Sequence, residues 1–90
     1  MDTPFIVYLS GDKGSAELRK LCAIKDVPII EKDIREKREH LVRLLRLNKT
    51  TVPQVFTGNG EYVGDYDAFH AYLETLPTPE VSQLHIEHAD

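Results

Sequence analysis

Residues 51–69 read Thr51-Val52-Pro53-Gln54-Val55-Phe56-Thr57-Gly58-Asn59-Gly60-Glu61-Tyr62-Val63-Gly64-Asp65-Tyr66-Asp67-Ala68-Phe69. A β-favouring triplet, Val55-Phe56-Thr57, runs into Gly58-Asn59-Gly60, and Tyr62-Val63 resumes extended character beyond it. Glycine and asparagine accept the positive φ that a tight reversal needs, so this stretch predicts an antiparallel hairpin. Gly64-Asp65-Tyr66-Asp67 then offers an aspartate as helix cap. Behind it Phe69, Tyr72, Leu73 and Leu76 recur at helical spacing.

Working outward, Phe5-Ile6-Val7-Tyr8-Leu9 is a continuous apolar run and predicts a buried parallel strand. It stops at the loop Ser10-Gly11-Asp12-Lys13-Gly14-Ser15, and a helix follows with Leu18, Leu21 and Cys22 on one face. Residues 27–34 predict a second strand, which completes a right-handed βαβ unit. A second helix is expected over 35–47, with Leu41, Leu44 and Leu45 inward. Its Arg35, Lys37, Arg38, Arg43 and Arg46, with Lys49 beyond, form a solvated face able to meet an acidic partner. Pro77-Thr78-Pro79 ends the third helix and caps a short last one, so the domain is expected over 1–78 and a terminal helix or tail over 79–90. The order is β-α-β-α-β-β-α plus that helix: an α/β fold, with helices on both faces of a four-stranded mixed sheet.

Ninety residues make one domain with one core. The apolar share of 41% and charged share of 29% are those of a globular protein. No run is long enough for a membrane span and no leader is read, so the expected compartment is the cytoplasm, without membrane attachment. All eleven Lys and Arg lie between Lys13 and Lys49, while seven acids follow residue 60. With a net charge of −4 the chain lacks the basic balance of a nucleic-acid binder. The one cysteine, Cys22, excludes an internal disulfide and any zinc site built on paired cysteines. It falls on the inner helix face and reads as a buried structural thiol. His85 and His88 share a helical face but have no third ligand, so no metal is expected.

Thr51-Val52-Pro53, the turn at Gly58-Asn59-Gly60 and the entrance Gly64-Asp65-Tyr66-Asp67 together resemble the glutaredoxins, as do Val27-Pro28 and Glu31-Lys32-Asp33-Ile34. The resemblance spans about residues 5–76 and implies a thioredoxin-like (glutaredoxin) fold with a cis peptide before Pro53. It places the glutaredoxin Cys-x-x-Cys on Asp12-Lys13-Gly14-Ser15, where neither cysteine stands. Thiol–disulfide exchange needs a thiolate at that helix end, and neither Asp nor Ser replaces it. Iron–sulfur ligation of the monothiol type is lost with the same residue. The Ser/Gly loop and Gly64-Asp65-Tyr66-Asp67-Ala68-Phe69 are most similar to the Src-homology-3-binding glutamic acid-rich-like family, a cysteine-free branch described as non-catalytic. That family's proline-rich segment is reduced here to Pro53.

The resemblance implies a groove in which the Val52 main chain pairs with an extended peptide, or with glutathione, by strand-like hydrogen bonds. The first helix would offer its N-terminus and Lys13 to a carboxylate. The candidate groove residues are Lys13, Ser15, Val52, Pro53, Asp65 and Asp67. The reading chosen is a non-catalytic binding or adaptor module for a protein or peptide partner, monomeric or weakly dimeric, without a required cofactor. The alternative is a glutathione-binding protein, or a glutathione-dependent enzyme that uses the hydroxyl of Ser10 or Ser15. A third reading, a redox sensor working through Cys22, requires that thiol to be exposed.

Overall fold

The computed structural model describes residues 3–76. The elements run β1 (Phe5–Leu9), α1 (Lys13–Lys25), β2 (Ile29–Asp33), α2 (Arg38–Arg46), β3 (Gln54–Phe56), β4 (Tyr62–Gly64) and α3 (Tyr66–Glu74). The terminal helix expected over 79–90, and the His85–His88 pair, lie outside the described residues.

The sheet order is β2-β1-β3-β4. β1 and β2 are parallel, with Phe5 opposite Ile29 and Leu9 opposite Asp33. β3 is antiparallel to β1, pairing Tyr8 with Gln54 and Ile6 with Phe56. β4 closes the hairpin with an irregularity between Val55 and Phe56, so Val63 is the extra residue in its strand. The turn is fixed by Thr57, whose N–H donates to the Glu61 carbonyl at 2.8 Å and whose hydroxyl accepts from the Glu61 N–H at 3.0 Å.

The single core expected is corrected: alternation along β1 sends its side chains to both faces of the sheet, which divides the buried side chains into two cores. Val7 and Leu9 join Leu18, Leu21, Cys22, Val55, Phe69 and Leu73 on the face covered by α1 and α3. The Phe5 ring meets Phe69 edge-on at 5.2 Å between centroids. Tyr8, on the opposite face, packs with Leu44 and Phe56, flanked by Ile6, Ile34, Leu47 and Val52. Leu18 and Phe69 are wholly enclosed, and burial of such a side chain stabilises by about 1.5–3 kcal/mol.

Helix ends follow their residues. α1 stops at Asp26, which takes the left-handed conformation at φ 56° while the Val27 N–H donates to the Cys22 carbonyl at 2.9 Å. Asn48, at φ 63°, does the same after α2. Two further expectations are corrected. α2 begins at Arg38 rather than at residue 35, because Asp33 accepts from the Arg35 N–H at 2.8 Å and holds the intervening residues in a turn. Of its three leucines only Leu44 is inward; Leu41 and Leu45 are 38% and 50% exposed. Among the described residues no helix is long and apolar enough to cross a membrane.

Candidate functional site

The register gathers three loops at one end of the sheet. β1 ends at Leu9, beside Asp33 of β2 and one residue beyond the Tyr8–Gln54 pair. Gln54 is also where β3 leaves Pro53, and Gly64, facing Val55, is where β4 leaves for α3. The segments 10–12, 51–53 and 64–67 therefore emerge together. The Val52–Pro53 peptide is cis.

Asp12 is the N-cap of α1. Its Oδ2 accepts from the Ser15 N–H at 3.3 Å, and its Oδ1 accepts from the Ser15 hydroxyl at 2.6 Å. The Ser15 Oγ accepts in turn from the Ser10 N–H at 3.0 Å, so one buried hydroxyl ties the loop to the helix. The Ser15 hydroxyl, followed by backbone N–H groups of this first turn, holds the Asp12 carboxyl below its ordinary range. The positive end of α1 thus carries a carboxylate of its own.

The Gly14 position brings the proline loop to this turn. A Cβ there would lie 3.1 Å from both the Asp12 Oδ2 and the Pro53 Cδ, a fit tighter than side chains ordinarily make. Pro53 is buried against the turn and Val52 half-buried. No hydrogen bond from another described residue reaches the Val52 N–H or C=O. The loop is braced from behind by Gln54, whose Nε2 donates to the Thr51 hydroxyl at 3.0 Å and whose Oε1 accepts from Tyr62 at 2.7 Å. Lys49 lies 3.7 Å above the Tyr62 ring.

At the α3 entrance Asp65, not Asp67, is the N-cap, accepting from the Ala68 N–H at 3.1 Å. Asp67 sits in the first helical turn with its side chain exposed. Lys13 is exposed as well. Ser15 is the correction among the candidates. It is fully buried, with its hydroxyl proton given to Asp12, so it supports the rim and does not line it.

Arg35 was missed as a site residue. Its Nε and Nη2 meet the two Asp33 oxygens at 3.2 and 2.9 Å, and its guanidinium lies where a Cβ on Gly11 would stand. The same contact pulls the Asp33 carboxyl down to about 2, aided by Arg19. Arg19 bridges Glu31 at 3.3 Å and donates to the Ser10 carbonyl at 3.4 Å. The sequence signal was the Asp33-Ile34-Arg35 spacing at a strand end, which fits a side-chain-capped turn better than a helix start.

Cys22 is 4% exposed in the core. Burial, then the negative charge of Glu31, pushes its thiol up to about 11. The exposure required of a Cys22 sensor is not met. Among the described residues no three His, Cys, Asp or Glu side chains converge to hold a metal ion.

No family model matches the chain, and no curated protein does. Among solved structures it is similar to the solution structure of the glutaredoxin from Brucella melitensis, with a TM-score of 0.63 and 27% identity over 80% of this chain and 79% of that one. The fold is glutaredoxin-like. In this glutaredoxin-like frame the first turn of α1 presents a carboxylate bonded to a buried hydroxyl, and no thiol.

Proposed function

We propose that the chain is a glutaredoxin-like binding module that carries out no thiol–disulfide exchange and takes an extended segment of a partner protein along the Val52–Pro53 edge. One observation carries this reading: Asp12 and Ser15 are bonded to each other across the first turn of α1, at the helix end where exchange chemistry needs a thiolate. The remaining thiol, Cys22, is enclosed and held protonated at neutral pH. With no described residue bonded to its N–H or C=O, the Val52 main chain supports strand-like pairing, and exposed Lys13 and Asp67 are charged groups for the two ends of such a segment. The resemblance of Gly64-Asp65-Tyr66-Asp67-Ala68-Phe69 to the Src-homology-3-binding glutamic acid-rich-like proteins, read from the sequence, supports the same kind of role.

Glutathione is the second reading, favoured by the likeness to a glutaredoxin. Against it stands Asp12, whose carboxylate occupies the helix end that a ligand carboxylate would seek. An enzyme using a serine hydroxyl would have to use Ser10, since Ser15 is enclosed and its proton engaged.

The test has two arms. A glutathione mixed-disulfide reductase assay on wild type and Cys22→Ser is expected to show no thiol-dependent turnover in either; activity lost in the variant would sink the reading. Reduced glutathione titrated against backbone amide shifts is expected to leave Lys13, Val52 and Asp67 unmoved at millimolar concentration. Saturable shifts there would move the second reading ahead.

A further inference from the structure

We propose that the cleft between α2 and the sheet is a docking surface for an acidic, partly apolar segment of a partner protein, separate from the Val52–Pro53 edge and independent of its reading. Leu44 is the one buried residue of α2; half-buried His40 also meets the Asp33 carbonyl of β2 through its Nδ1 at 3.1 Å, and half-buried Leu47 packs beside Leu44. The flank of α2 from Arg38 to Arg46 borders an open cleft of about 640 Å³ against the sheet.

The floor is Ile6 and Tyr8 of β1, and Val42, 36% exposed, projects from the helix wall. Lys32, Arg38, Arg43 and Arg46 surround this apolar strip, against a single acid, Glu39. None of these four cations forms an ion pair with a described carboxylate; the arginines that do are Arg19 and Arg35. Three net positive charges therefore gather (four cations less one acid) on a chain whose total is −4. Cations without a partner among the described carboxylates, set around half-buried Ile6 and exposed Val42, complement a ligand that brings both carboxylates and hydrocarbon.

A protein segment fits better than a nucleic acid. Phosphate-tracking surfaces occur on basic domains with an uninterrupted cationic track, whereas this chain has a pI near 5.5 and Glu39 stands in the cleft. The apolar floor also has no counterpart in a phosphate backbone. The volume lies within the 300–1,000 Å³ typical of ligand pockets, enough for about four to six extended residues.

The experiment uses the full chain and a short fluorescent peptide alternating glutamate with leucine. Binding is expected to saturate and to shift the amides of Ile6, Tyr8, Lys32 and Val42 while leaving Lys13 and Asp67 unmoved. Arg43→Glu and Arg46→Glu, both exposed and checked for native circular dichroism, are each expected to weaken it by about five- to tenfold. Val42→Ser, also folded, is expected to weaken it by about threefold, which separates the apolar share from the charge. Absence of saturable binding, equal binding of a serine-for-glutamate peptide, or shifts centred on Lys13 and Asp67 would overturn the proposal. So would single-stranded polynucleotide binding as tightly at the same amides, since the surface would then be a general polyanion face.

Discussion

Asp12→Ala removes two things at once, and the geometry sizes both. Loss of an N-cap side chain costs about 0.5–2 kcal/mol. The Ser15 hydroxyl, enclosed and donating to Asp12 at 2.6 Å, then has no acceptor, and an unsatisfied buried donor costs about 1–3 kcal/mol. The two contributions share one carboxylate and do not sum, so the expected loss is about 2 kcal/mol. Asp12→Asn keeps an acceptor oxygen and loses the charge, and because Asp12 is exposed that charge is screened; the expected loss is under about 1 kcal/mol. Ser15→Ala also releases the Ser10 N–H, and the double variant is expected to fall short of the summed single losses by about 1 kcal/mol.

The assay is urea unfolding followed by circular dichroism. Since the folded Asp12 carboxyl lies below its ordinary value of 3.8, its contribution is whole above that value and fades as pH falls through the folded one. The gap between wild type and Asp12→Ala is thus expected to narrow only in acid. A variant within about 0.5 kcal/mol of wild type, or strict additivity in the double variant, would refute the argument that this pair secures the first turn.

Three further outcomes follow from other parts of the molecule. Cys22, with a thiol pushed up to about 11, is expected to resist Ellman's reagent in the native protein and to react fully in denaturant; prompt native labelling would contradict its burial. Gly64 has φ 137°, and a Cβ there collides with Ala68, so Gly64→Ala is expected to cost about 1–3 kcal/mol in a thermal melt; an unchanged melt would mean another backbone path at the α3 entrance. Arg35→Leu is expected to return the Asp33 carboxyl from about 2 toward 3.8 in a carboxyl NMR titration, stopping short because the backbone N–H of residue 35 still donates to it and Arg19 remains within 3.8 Å. Asp33's stabilising contribution is present above its ordinary value and is lost as pH falls toward 2, and the variant is expected to lose the part of that acid dependence that the Arg35 guanidinium supplies.

The sheet was legible because its signals are local. The run 5–9, the Gly58-Asn59-Gly60 turn and the aspartate before α3 each encode their element within a few residues, and the observed order follows them. What escaped depends on where elements sit relative to one another. Leu41 and Leu45 have the spacing of an inner face, yet only Leu44 of the three is buried, because how a helix seats on a sheet is not carried by residue spacing. Ser15 looked like a loop hydroxyl because nothing in the sequence says that Asp12 and the Ser10 N–H will close around it. Arg35 was assigned to a helix face, whereas the parallel register of β1 and β2 brings Asp33 beside Leu9 and so lays the arginine over Gly11.

The sheet order has a consequence for how copies of the chain meet. An open sheet offers its two outer strands as templates for intermolecular pairing. Here β2 presents Glu31, Lys32 and Asp33 along one border, and β4 contributes only Tyr62–Gly64, interrupted by its bulge, along the other. Charge on one margin and brevity on the other work against edge-to-edge fibrils.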